Sequence, residues 1–563
     1  MSIPRLNFSD ITSGPKTGLG DGLGSGVIVT VWGNNLGSSQ GSSTISIGGV
    51  NAAYVYYWGN ATGALGGGPA NLYTYHKMQE ISFSIPAGVA DGAVTISVTV
   101  GGVTSNTLPF TVRAGNIYFV KTTGSDSTGT GTWSNPRRTL NWYAYDRLEA
   151  GDTVYACDGI AENSGLATRY LVGTLANPIS FIAYPGAAVS VNQNAAWSLG
   201  NYAGSSHFCN FSKIRVTTTG TGIDTHEGMR AVGNEITNYS GLYASGSNGA
   251  ISGSDDNNHT NDTVSNIKCF GNYIHDFGGD NTQSLHHVFY ISNRSSYTRE
   301  AFELGWNHLA DNKAHHGLHV YDEGICGNLT GTLRIHDNVV VNQVGVAVGV
   351  ACMAYDGYNG FSMPVEIYNN LFIRPGKEIP TCSGHNVAIS LSGLTNTCHV
   401  KIYNNTLYGY GQSGGGWALD VQGSGDDHRF GGTWEYVNNI VVDTNDRPYE
   451  YPTYGDTADV HTNNLWYNGG DSTPASPPSW DTSPVSTDPL FTNAGAGDFS
   501  LQSSSPAKGT GANLSATVTH DLLGNPRTLP FDMGAIAYVT AGAPPTYSEV
   551  PYPYYSMLMR GGA

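Results

Sequence analysis

The sequence predicts an all-β protein: a small N-terminal β-sandwich followed by a long repeat solenoid. Three observations carry this. An asparagine-led phrase recurs as Asn234-Glu-Ile-Thr-Asn, Asn272-Tyr-Ile-His-Asp, Asn307-His-Leu-Ala-Asp, Asn338-Val-Val-Val-Asn, Asn370-Leu-Phe-Ile-Arg, Asn405-Thr-Leu-Tyr-Gly, Asn439-Ile-Val-Val-Asp and Asn464-Leu-Trp-Tyr-Asn. Its spacing of roughly 25 to 40 residues is that of a repeat architecture, in which each short strand buries its face only when copies stack. Next, the first 112 residues alternate apolar and polar positions between glycine-rich turns, as in Gly26-Val-Ile-Val-Thr-Val-Trp, Glu80-Ile-Ser-Phe-Ser-Ile and Ala93-Val-Thr-Ile-Ser-Val-Thr-Val. Finally, 75 Gly and 34 Tyr in 563 residues, with only 12% charged, describe a turn-rich chain whose surface is built from Asn, Ser and Thr instead of ion pairs.

The first segment, residues 1–114, resembles the immunoglobulin-like IPT/TIG family. The resemblance lies in Gly26-Val-Ile-Val-Thr-Val-Trp-Gly-Asn-Asn-Leu-Gly, Ile45-Ser-Ile-Gly-Gly-Val and Ile85-Pro-Ala-Gly-Val-Ala-Asp-Gly. Such modules are spacers or binding modules. Tyr54, Tyr56, Tyr57 and Trp58 either stack on sugar faces or pack within and between domains.

Residues 115–540 follow. Ile117-Tyr-Phe-Val-Lys-Thr-Thr-Gly-Ser-Asp-Ser, Asn135-Pro-Arg-Arg-Thr-Leu and Glu149-Ala-Gly-Asp-Thr-Val-Tyr-Ala-Cys-Asp-Gly read as strand, loop, short amphipathic helix over Arg138–Leu148, turn and strand. The helix is expected to cap the solenoid's open end. This entry phrase resembles that of right-handed parallel β-helix proteins of the pectate-lyase-like superfamily. The exit resembles it too, in Asp488-Pro-Leu-Phe, Asp498-Phe-Ser-Leu, Asp521-Leu-Leu-Gly-Asn-Pro-Arg and Asp532-Met-Gly-Ala. In that architecture a turn asparagine hydrogen-bonds its equivalent one coil away. Residues 541–563 form a Pro/Tyr-rich tail that packs along the solenoid, docks on a partner chain in a homotrimer or a virion, or is a disordered terminus.

A net charge of −18 excludes nucleic acid as a partner, since phosphate binding needs a concentrated basic surface. An anionic polysaccharide requires local Arg, Lys, His or a bound cation to offset that field. No stretch is apolar enough for membrane insertion: even Val339–Ala354 contains Asn342 and Gln343. The first ten residues lack a basic start and apolar core, so no signal peptide is expected. Either a signal peptide was removed, or an extracellular or virion-associated protein leaves its cell by another route, such as lysis. The seven scattered cysteines read as buried free thiols.

Reactive side chains are densest in two consecutive coils, Ser284-Leu-His-His-Val-Phe-Tyr-Ile-Ser-Asn-Arg and Asn312-Lys-Ala-His-His-Gly-Leu-His-Val-Tyr-Asp-Glu. Strand alternation sends Phe289, Ile291, Leu318 and Val320 inward and Tyr290, Ser292, His319 and Tyr321 outward. Stacked in register, Tyr290 and His319 become neighbours about 5 Å apart, with His287 and His316 together at the strand entrances. Lyases and epimerases of uronic acids need a base, a proton donor and a cation to neutralise the carboxylate. His319 or His287 suits the base, Tyr290 the donor, and Arg294 or Lys313 the neutraliser, with His316 beside them. Tyr321, Asp322, Glu323, Asp255 and Asp256 are the candidate substrate-binding residues.

The superfamily resemblance implies carbohydrate chemistry and includes lyases, epimerases and hydrolases. A hydrolase needs two carboxylates across a cleft, and Asp255 and Asp256 with Asp322 and Glu323 are the candidates. Polygalacturonase-type motifs are incomplete: Asp255-Asp256 and Arg334-Ile-His are present, but Gly-His-Gly is absent. Asp255-Asp-Asn-Asn also carries oxygen ligands suited to Ca2+, or forms a solvated turn. The expected function is a lyase on a uronic-acid-containing polysaccharide. Its alternatives are a bacteriophage tail spike, fibre or capsid decoration binding host glycan, and a non-catalytic adhesin.

Overall fold

A computed structural model describes residues 3–540 except 194–196, 202–205, 226, 239–247, 255–265, 279–285, 294–301, 323–330, 353–360, 377–386, 396–397, 411–416, 424–431, 444–458 and 469–476. The candidates Asp255, Asp256, Arg294 and Glu323 and the tail 541–563 lie outside the described residues.

Alternation in the first segment yields two sheets. One orders the strands Arg5–Ser9, Ile28–Asn34, Gln79–Ser84 and Val55–Asn60, all antiparallel. The other is built on Leu108–Val112, Gly92–Val100 and Thr44–Ile47. Val29, Val31, Ile81 and Phe83 from the first meet Ile45, Ile47, Ile96 and Val98 from the second in a fully buried core.

From Ile117–Val120 onward every coil pairs in parallel with the next, giving three sheets of 12, 11 and 9 strands among the described residues. This is the expected parallel β-helix. Each asparagine of the recurrent phrase stands at the corner between the first and second sheets, and all eight are fully buried. Nδ2 of Asn234, Asn272, Asn307, Asn338, Asn370, Asn405 and Asn439 donates to Oδ1 of the next at 2.9–3.0 Å. Asn464 ends the ladder on Asp481 Oδ2 at 3.0 Å. The residue before each asparagine is left-handed, at φ 51–66° through Gly233, Gly271, Trp306, Asp337, Asn369, Asn404, Asn438 and Asn463. That conformation turns the corner and sends the following side chain inward.

The entry cap differs from expectation. Only Leu140–Trp142 is helical, as one 3-10 turn. Tertiary partners replace helix bonds: Leu140 N–H and Asn141 Nδ2 donate to the Glu162 carboxylate at 2.6 and 2.7 Å, and Asp146 is left-handed at φ 41°. Arg137 and Arg147 stack on Trp142, while Leu140, Tyr143, Ala144 and Leu148 still close the core.

The sandwich packs on the solenoid through Phe8 and Trp32 against Phe270 and Trp306. Tyr56 packs edge-on against Tyr184 of the solenoid, and Trp58 Nε1 donates to the Leu36 carbonyl. Packing, not display, therefore occupies these two aromatics. The exit segment folds back over the second sheet, where Phe499 and Leu522 cover Val339 and Leu371. Cys157, Cys209, Cys269 and Cys398 are buried free thiols, as expected.

Candidate functional site

The site is built on two adjacent strands of the third sheet, His286–Asn293 and His316–Asp322. They pair in parallel, matching His287 with His316, Tyr290 with His319, Ser292 with Tyr321 and Asn293 with Asp322. The backbone thus has the register that spacing predicts, with Phe289, Ile291, Leu318 and Val320 in the core.

Strict alternation fails at one place. Val288 and Phe289 are consecutive, yet both enter the core. The same small-then-large pairing recurs at Ala250-Ile251, Ala347-Val348, Ala388-Ile389 and Ala418-Leu419. With both residues of the pair in the core, positions i and i+3 share a side. His287 therefore lies on Tyr290, centroids 4.7 Å apart and planes within 14°, and His316 lies on His319 at 4.1 Å and 8°. His287 and His319 rings are 4.5 Å apart, Tyr290 and His319 5.7 Å, and His319 and Tyr321 5.4 Å.

This column faces away from the core but is not open. Tyr290 is 7% exposed, His319 5% and Ser292 2%, and the aromatic rings pack on each other across the coils. Tyr321 is half-buried. Burial, then the charges that neighbouring histidines would carry, holds His287 well below the usual imidazole range. Lys313 stands exposed on the turn before the strand, where its charge acts on Asp276. Asp322 is placed by its backbone pairing alone.

The structure brings together His287, His316, His319, Tyr290 and Tyr321, and adds two histidines that spacing alone did not nominate. His315 Nδ1 lies 3.0 Å from His316 Nδ1, and His286 is buried beside the cluster. Register also runs Asp224, Ser252, Tyr290, His319, Gly349, Ser390 and Asp420 into one row. The half-buried carboxylates Asp224 and Asp420 flank the rings, about 10 and 14 Å away by strand spacing. Counting rungs between asparagine phrases would have found both.

Residues 14–112 match the family model of the IPT/TIG domain. No curated protein matches the chain in sequence. Among solved structures, the chain is similar to the GH136 lacto-N-biosidase from Eubacterium ramulus. That likeness has 13% identity and a TM-score of 0.41, covering 66% of this chain and 67% of that one. It is similar to XylC in complex with xylose at 10% identity and TM-score 0.43, covering 76% and 99%. It is also similar to a mutant of the PL6 family alginate lyase AlyGC at 13% identity and TM-score 0.29, covering 69% and 55%.

Proposed function

We propose that the protein binds a polysaccharide along its third sheet and cleaves it by acid–base chemistry at the His–Tyr column, as a lyase of uronic-acid-containing chains. The observation supporting this is the in-register meeting of Tyr290 with His319, flanked by His287 and His316. In this reading His319 removes the proton beside the substrate carboxylate. The bond to the glycosidic oxygen breaks, Tyr290 protonates the departing oxygen, and a carbon–carbon double bond conjugated with the carboxylate remains. Lys313 and Arg294 are the cationic candidates for neutralising that carboxylate. Rungs spaced about 5 Å apart suit a polymer laid across successive coils.

The test is incubation of the full chain with alginate, pectate and glycosaminoglycans, following the ultraviolet absorbance of the unsaturated product. Absorbance should rise with one of them and vanish in a folded His319→Ala variant. No unsaturated ends with any of the three would overturn the lyase reading. New reducing ends without absorbance would replace it by hydrolysis.

A second reading is favoured by the close packing of the column, which leaves little ring surface for a reacting sugar. It is a non-catalytic glycan-binding protein outside the cell: a phage tail spike, fibre or capsid decoration, or an adhesin. Glycan retention without turnover would select it, and a trimer in solution would favour the tail spike within it.

A further inference from the structure

One ring nitrogen from each of His287, His315 and His316 lies within 4.8 Å of the other two. His316 Nδ1 is 3.1 Å from His287 Nδ1 and 3.0 Å from His315 Nδ1. His287 and His315 are buried, and His316 is partly so. Backbone bonds fix their placement. His315 N–H donates to the His286 carbonyl at 2.7 Å, and the His315 carbonyl accepts from Val346 N–H at 2.9 Å. A Cβ at Gly345 would lie 1.8 Å from that carbonyl oxygen, so glycine is what lets the next coil approach so closely. The three rings thus come from two coils locked in register, not from one mobile loop.

A neutral imidazole nitrogen carries either one hydrogen or one lone pair. His316 Nδ1 faces two nitrogens of the same kind and can make a well-directed hydrogen bond to only one of them. A cation between the three uses all three lone pairs at once. Tetrahedral zinc with Zn–N near 2.0–2.1 Å sets its ligand nitrogens roughly 3.4 Å apart. Two of the separations here are already within a few tenths of an ångström of that value.

We propose that His287, His315 and His316 form a binding site for a late first-row divalent cation, Zn2+ foremost, with the fourth position left for water or a substrate oxygen. An all-imidazole set suits zinc, copper or nickel, and does not suit calcium or magnesium, which take oxygen ligands. Three protein ligands with one open position are the pattern of a reactive zinc site, not a closed structural one. The site is independent of the polysaccharide reading and stands whether or not the chain turns over a glycan. Where it does, the cation lies one ring from His319 and supplies positive charge beside the base.

The test uses the full chain, stripped with a chelator and then loaded with Zn2+ or Co2+. One Zn2+ per chain should survive dialysis, and the Co2+ form should show the visible ligand-field bands of a low-coordinate nitrogen site. A double His315→Gln, His316→Gln variant should lose affinity by more than about 100-fold, since even an outer-shell partner is worth roughly 10–100-fold. A His275→Gln control, altering a histidine on the second sheet, should bind as the parent does. Equal retention by parent and double variant would show adventitious binding and overturn the site. Absence of Co2+ bands in the parent would overturn it without reference to any variant.

Discussion

Gly349 sits in register beside His319, and a Cβ built there would stand 3.1 Å from His319 Cδ2 and 2.6 Å from His316 Cδ2. The stacked pair of rings therefore rests against a position where no side chain fits. Gly349→Ala should push the two rings out of their stack. The expected cost is about 1–3 kcal/mol of stability, the usual range for overpacking. Turnover or zinc retention should fall with it, while far-ultraviolet dichroism stays that of the parent. Urea unfolding alongside either functional readout checks this. An alanine variant with parental stability and function would mean the column tolerates displacement.

The Asn338 side chain makes four bonds inside the solenoid. Its Oδ1 accepts from the backbone and side chain of Asn307, and its Nδ2 donates to the Leu304 carbonyl and Asn370 Oδ1. Asn338→Ala leaves the buried Asn307 N–H without its acceptor and takes one bond each from Asn307 Nδ2, the Leu304 carbonyl and Asn370 Oδ1, the last of which keeps the backbone N–H of residue 338, so a loss of about 2–4 kcal/mol is expected. Asn338→Asp should be worse, because a carboxylate would face two acceptors. Asn464→Ala should cost as much as Asn338→Ala, since its Oδ1 also accepts from the backbone and side chain of Asn439 and its Nδ2 donates to the Tyr436 carbonyl and Asp481. Parental midpoints for the Asn338 and Asn464 alanine variants in denaturant would refute the ladder's role.

The ladder was legible because its chemistry is local: one residue type at one corner, repeated. The same repetition gave the register of Tyr290 and His319. The entry of both Val288 and Phe289 into the core was not legible, because a two-residue period assumes strict alternation, and that pair sets which histidines share a side. The cap helix over Arg138–Leu148 was misread for a related reason. Its amphipathic pattern is genuine, but Glu162 outbids the helix for its donors. The first sheet also departs from the expected ion-pair-poor surface. Lys268, Glu303, Arg334, Glu366 and Lys401 line up across five coils, with Arg334 to Glu366 at 3.0 Å. Those charges are 30 or more residues apart in sequence, and only the coil register makes them neighbours.

Stability should peak near neutral pH, and the seam between the two domains should give way first in acid. His76 Nε2 meets the Asp337 carbonyl at 2.8 Å, and His308 Nδ1 meets the Asn71 carbonyl at 3.0 Å, each crossing the seam. Burial pushes His76 down to about 4 and His308 to about 3 from an ordinary 6.5. The unfolded chain then binds more protons, so stability falls as pH drops from 6.5 toward those values. At pH 5 the loss is about 2 kcal/mol for each histidine. On the alkaline side, His336 is held up at about 9 by Asp337 and Glu303 despite its burial. Its contribution is complete below 6.5 and lost as pH rises through 9. His308→Gln should flatten the acid limb measured by urea unfolding at pH 5 and 7. An unchanged acid slope would clear His308 of that role.

Lys213 reaches from the solenoid into the sandwich, where its Nζ donates to Thr30 Oγ1 at 2.8 Å between buried Asp10 and Glu80. Burial depresses the lysine, and the two carboxylates oppose that depression. Asp10 also accepts from the N–H groups of Ile11 and Thr30, and Glu80 from that of Gly68. The carboxylates therefore keep their backbone partners when the lysine goes, but lose their counter-charge. Lys213→Met should cost about 3–5 kcal/mol, the usual penalty for leaving buried charge without its counter-charge. Adding Asp10→Asn and Glu80→Gln removes the stranded charge, and well-packed neutral replacements of such sites are often no less stable than the ions. The triple variant should thus recover most of what the single one loses. If both unfold at the same denaturant concentration, the lysine acts by filling space and not by charge.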